Sequence, residues 1–131
     1  MKTFKDYLIS QEQQRILKQE YLDSNYALIN SKRPVEDPDS LYYTYDLDVL
    51  MSYLEYAKQM ANQQGIADLK VRINMGKYPT SGFDSRLRAE YQTHQTIYIT
   101  TLSRNSEGVE QDISGVDAMD FNTICPPPYP I

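Results

Sequence analysis

The clearest pattern in this chain is a change of hydrophobic period. Leu47, Leu50, Met51, Leu54, Ala57 and Ala61 recur three and four positions apart, which places them on one face of an α-helix. Beyond Gly65 the period falls to two, and Leu69, Val71, Ile73 and Met75 alternate with Lys70, Arg72 and Asn74, as in a half-buried strand. The first pattern predicts a core helix over residues 46–65, begun by Asp46 and Asp48 at its positive end and stopped by Gly65. The second predicts a strand over residues 69–76. Another strand is expected over residues 92–102, with Ile97 and Ile99 inward and His94, Thr96, Tyr98 and Thr100 outward.

Elsewhere the periodicity is weaker and the punctuation carries more information. Ser10 with Gln13 three residues on has capping-box spacing. It introduces an outer helix over residues 10–30, whose sparse apolar stripe of Ile16, Leu17 and Leu28 leaves most of it solvated. SKRPVEDPDS is a connection, and LYYTY at residues 41–45 a short strand. Residues 76–88 and 103–122 are expected as loops. The proline-rich tail, residues 123–131, is expected to lie extended across the core beside Cys125. This order predicts an α+β fold, two-layer, with helices packed on one face of a small antiparallel sheet, in a single domain of residues 1–131. The expected core includes Leu50, Leu54, Val71, Ile73, Ile97 and Ile99.

Composition narrows the chemistry. A net charge of -5 and a pI near 4.8 speak against nucleic acid as a partner, since phosphates call for a basic face. The longest apolar runs fall far short of the roughly 20 residues of a membrane helix. The start, MKTFKDYLISQEQQ, lacks the apolar stretch of a signal peptide, so a cytoplasmic location and no membrane partner are expected. One cysteine, Cys125, and one histidine, His94, exclude an internal disulfide and a Cys/His zinc site. Scattered glycines offer no phosphate cradle. No cofactor and no metal are expected. The 12 tyrosines beside no tryptophan and 3 phenylalanines suit half-buried rims and interfaces.

The stretches YDLDVLMSYLEYAKQMANQQGI, VRINMGKYP, TIYITTL and NTICPPPYP together resemble a family of small uncharacterised Bacteroidetes proteins. The resemblance spans residues 10–130 and implies a stand-alone bacterial cytoplasmic domain. It implies no catalytic role for any position, and the loop after Pro79 is longer here than in that pattern.

Weighed one by one, the candidate chemistries mostly reduce to structure. Cys125 with His94 has no nucleophile signature. The acidic residues Glu36, Asp37, Asp39, Asp46 and Asp48 read as turn, cap and solvated positions, and the PPxY string at residues 126–129 as a stiff tail. Two functional readings remain. One is an interaction or accessory module without catalytic activity, self-associating or binding another protein. The other is a small-anion-binding protein or enzyme on the outward face of the two long strands. There Arg72 and Asn74 would share a side with His94 and Tyr98, and Arg86 and Arg88 of the intervening loop would close over them.

Overall fold

The computed structural model describes residues 2–127. They divide into two compact units at the boundary between Asp39 and Ser40.

The first unit is built on its caps. Ser10 Oγ accepts the Gln13 N–H at 3.0 Å while Gln13 Oε1 accepts the Ser10 N–H at 2.9 Å, so two orphan donors at the start of α1 (Gln11–Tyr21) are satisfied reciprocally. The helix widens into a π stretch at Leu22–Tyr26 and resumes as α2, Ala27–Asn30. Within that stretch the Ser24 hydroxyl donates to the Glu20 carbonyl at 2.6 Å, competing with the backbone ladder. Tyr26 donates to the Asp39 carbonyl at 2.7 Å, and Asn30 Oδ1 accepts the Asp39 N–H at 2.7 Å. These bonds fold the connection of residues 31–39 back along the helix.

The second unit contains α3 (Leu47–Gln63) and every strand: β1 (Tyr42–Thr44), β2 (Leu69–Lys77), β3 (Gln95–Arg104), β4 (Glu110–Asp112) and β5 (Thr123–Cys125). All pairings are antiparallel, β1 with β5 in one sheet and β2-β3-β4 in the other. The α+β class read from the period change is therefore the class observed. Asp46 occupies the N-cap of α3 without a side-chain cap bond. Residues 103–122, expected as loop, hold β4 and a bridge in which Met119 and Ile99 exchange both backbone hydrogen bonds.

The core is more aromatic than the pattern implies. Tyr78, Tyr91 and Ile124 form its centre, with Tyr43 and Leu87 packed against them. Ala57 and Ala61 of α3, Leu102 and Ile113 are also buried. The expected docking of the tail is seen through β5, where Ile124 is fully buried. Residues 128–131 lie outside the described residues. Among the described residues no helix is long and apolar enough to cross a membrane.

Two expected core residues are not in the core. Ile99 is buried and Leu50, Leu54 and Ile97 are half-buried, but Val71 is 52% and Ile73 65% exposed. The alternation was a true strand signal, yet β2 is an edge strand. Its cross-strand partner Ile99 is covered, because α3 seats over β3 and residues 113–119. Tyr53 donates to the Ile99 and Asp117 carbonyls at 3.3 and 2.7 Å, and Gln64 to the Ser114 carbonyl at 2.7 Å. A period reports a strand's two faces, not whether a neighbouring layer reaches them. Ile73→Ala should thus cost under about 1 kcal/mol, against about 2–5 kcal/mol for Ile124→Ala. Urea denaturation of the two variants compares them directly.

Candidate functional site

Where β2 ends and β3 begins, the sheet carries a cleft of about 640 Å³, lined by Gly76, Lys77, Tyr78, Thr96 and Tyr98 of the strand region and by two covering segments. One segment supplies Phe83, Asp84 and Arg86, the other residues 118–121. The pairing of Gly76 with Thr96 and of Asn74 with Tyr98 puts Thr96 and Tyr98 on one face. A Cβ at Gly76 would stand 3.5 Å from the Tyr98 ring. The bare backbone at this position lets that ring lie close over β2.

The floor is a hydrogen-bond network. Tyr78 is almost wholly buried, and its hydroxyl donates to the Asp120 carboxylate, 2.9 Å from each oxygen. The Thr96 hydroxyl lies 3.3 Å from both the Tyr78 phenol oxygen and Asp120 Oδ1. Asn122 Nδ2 donates to Thr96 Oγ1 and to the Ile97 carbonyl, each at 3.1 Å. Asp120 and Asn122 can both reach this network because Phe121, between them, adopts the left-handed conformation with φ 53°. That conformation is uncommon for a bulky side chain. The turn aims the flanking polar residues inward and leaves the Phe121 ring on the cleft wall.

The wall is aromatic and clamped. Phe83 meets Tyr78 edge-on with centroids 5.4 Å apart and Phe121 at 6.3 Å. The Arg86 guanidinium lies 4.1 Å from the Phe121 centroid, cation–π range. It is held there by Asp84, whose oxygens accept from Arg86 Nε at 3.1 Å, from a terminal nitrogen at 3.0 Å and from the backbone N–H at 2.8 Å. The Arg86 side chain and then its backbone N–H hold the Asp84 carboxyl down at about 2. Burial pushes the Tyr78 phenol far above its ordinary value, with the adjacent Thr96 hydroxyl opposing and Asp120 adding to the rise. Burial also raises Tyr45 and Tyr53.

The residues expected to converge on this face part company. Tyr98 and Arg86 line the cleft together. Arg72 instead reaches across β3 to Glu110, which it shares with Arg104. Asn74 donates to the Tyr98 carbonyl and to Thr100 Oγ1, each at 3.1 Å, and braces the two strands. His94 is not an outward strand residue. A 3₁₀ turn at Ala89–Tyr91 and a positive φ at Thr93 delay β3 until Gln95. His94 is buried before it, with Nδ1 3.1 Å from the Gln92 carbonyl. Arg88 pairs with Glu90 at 2.8 Å, lies over the Tyr91 ring and stays outside the cleft lining. Tyr78, Phe83, Asp84, Asp120 and Phe121 were missed. They sit in segments without periodicity, where only contact in three dimensions brings them together.

No family model, no curated protein and no solved structure matches this chain.

Two titrations test the geometry. The Asp84 carboxyl, followed by carbon-detected NMR, should titrate near 2 and return toward about 3.9 in Arg86→Gln. Its lowered value means its contribution to stability is present above the ordinary carboxylate range and is lost as pH falls toward 2. Tyr78 has the opposite sign. Its raised phenol contributes fully below about pH 10, and that contribution is lost as pH rises further. Wild type should therefore lose stability above about pH 10 more steeply than Tyr78→Phe, measured by denaturant midpoints across pH.

Proposed function

We propose that the second unit is a non-catalytic binding module whose cleft takes a small ligand with a flat apolar body and a hydrogen-bond donor. The observation that carries this reading is the pairing of an aromatic wall with a carboxylate floor. Tyr78, Phe83, Tyr98 and Phe121 offer ring surface, and Asp120 lies among them. Among the described residues, Asp120 Oδ1 has three neighbouring polar groups in Tyr78, Thr96 and Asn122, whereas Oδ2 has Tyr78 alone. Oδ2 thus keeps lone-pair capacity for a donor on the ligand. A few polar groups within a mainly apolar concavity is the usual composition of small-molecule sites.

The chemistry of the neighbours favours binding over turnover. A nucleophile needs an adjacent base, and His94 is buried with a backbone carbonyl as its Nδ1 partner. The small-anion reading draws less support, because Arg72, Arg86 and Arg88 are each ion-paired to Glu110, Asp84 and Glu90. A cationic or neutral donor head suits Asp120 better than a carboxylate would.

Three probes that share one ring separate these possibilities: benzylamine, benzyl alcohol and benzoate. Benzylamine at millimolar concentration is expected to shift the amides of residues 76–78, 96–98 and 118–121, benzyl alcohol less, and benzoate not at all. Asp120→Asn should weaken benzylamine and spare benzyl alcohol. Benzoate shifting the same amides most strongly would favour an anion site, and silence from all three would remove the cleft from consideration.

A further inference from the structure

Resting on the cleft reading, we propose that the Arg86 side chain is a movable partition between the cleft and a second, smaller cavity, and that the ligand's far end carries a neutral amide that seats there. The second cavity measures about 180 Å³. It shares Tyr78, Arg86 and Phe121 with the cleft. Its other walls are Leu87, Arg88, Tyr91, Asn122 and Thr123.

The three shared residues differ in what holds them. Tyr78 is almost wholly buried and bonded to Asp120. Phe121 is fixed from both sides, because Asp120 and Asn122 belong to the floor network. The Arg86 side chain is 70% exposed. Two contacts hold it: Asp84, two residues away on its own segment, and the face of the Phe121 ring at 4.1 Å. Exposed ion pairs and exposed cation–π contacts are both weak, and exposed side chains change rotamer within nanoseconds. Swinging off Phe121, the guanidinium bares a ring face to the cleft and joins the two spaces.

The lining of the smaller cavity sets the chemistry of the group it takes. Arg86 meets Asp84 through Nε and one terminal nitrogen, and among the described residues its other terminal nitrogen, Nη1, has no partner. Arg88 meets Glu90 through one terminal nitrogen and lies over the Tyr91 ring at 5.4 Å. Each guanidinium is thus oriented by a carboxylate and a ring, and keeps N–H groups for an acceptor. Asp84 and Glu90 already balance the two charges. A further carboxylate would be crowded by them, whereas a neutral carbonyl asks only for an N–H. Asn122 supplies the complement. Its Nδ2 is committed to the Thr96 hydroxyl and the Ile97 carbonyl, which fixes the orientation of its amide. Its Oδ1 is buried with no hydrogen-bond partner among the described residues, and a buried acceptor in that state marks a place for a donor from solvent or ligand. A primary amide offers both groups, a carbonyl oxygen for the guanidinium N–H groups and an N–H for Asn122.

The test follows the full-length chain by NMR with benzylamine, and with the same amine carrying a primary amide, a methyl group or a carboxylate at the meta or para position. Benzylamine should shift only the cleft amides, residues 76–78, 96–98 and 118–121. One of the amide isomers should also shift residues 87, 88, 91 and 123 and move the Arg86 Hε resonance away from its ring-shifted position. It should bind about ten-fold tighter than benzylamine, the fold-change of one net hydrogen bond. Arg88→Met, at a side chain 62% exposed and outside the cleft lining, should remove that gain and leave benzylamine binding unchanged. Benzylamine binding with no gain from the amide, an equal gain from the methyl group or a larger one from the carboxylate overturns the proposal and leaves the cleft reading standing. An Arg86 resonance that stays in place while the amide binds does the same. Silence from benzylamine and all its derivatives removes the cleft reading and this proposal together.

Discussion

The second unit depends on the requirement that a buried phenol find an acceptor. Transferring a hydroxyl out of water without a partner costs about 1–3 kcal/mol in protein terms, so each tyrosine that supplies apolar area also dictates where a polar group must stand. Three buried or half-buried ones, Tyr45, Tyr53 and Tyr78, meet that requirement on one stretch of chain, and the exposed Tyr56 adds a bond to the same stretch. Tyr56 bonds to the Gly115 carbonyl, Tyr53 to Asp117, Tyr45 to Met119 and Tyr78 to the Asp120 side chain. Residues 113–122 have little regular structure of their own. Phenols from α3, β2 and the end of β1 hold them against β3.

The cleft is a consequence of that anchoring. Held at Met119 by backbone bonds to Ile99 and at Asp120 by Tyr78, the segment stands beside the sheet as a wall. The left-handed turn at Phe121 lets one residue face the cleft while its neighbours join the floor. The opposite wall is local: Asp84 and Arg86, two residues apart, lock each other, and Arg86 caps the Phe121 ring. Fixed donors and rings of this kind cut the ordering a ligand must otherwise impose.

Anchoring the segment over β3 also leaves β2 uncovered. α3 and residues 113–119 are used on β3, and β2 stays at the margin of the sheet with apolar side chains in water.

Local physics alone determined much of the architecture. Capping spacing at Ser10, the 3.6-residue period through Ala61 and the two-residue period from Leu69 each name an element, because the information lies within one or two turns of chain. Alternation also placed Arg72, Asn74, Thr96 and Tyr98 on one face. Three things were decided only by tertiary structure. Whether Val71 and Ile73 are buried depends on which strand α3 covers, and nothing in their spacing records that. His94 turned inward because Thr93 adopts a positive φ, which no period predicts for threonine. Asp120 and Phe121 became cleft residues because distant phenols hold an aperiodic segment in place, and a partner's reach across 42 residues from Tyr78 to Asp120 leaves no mark on the sequence around either one.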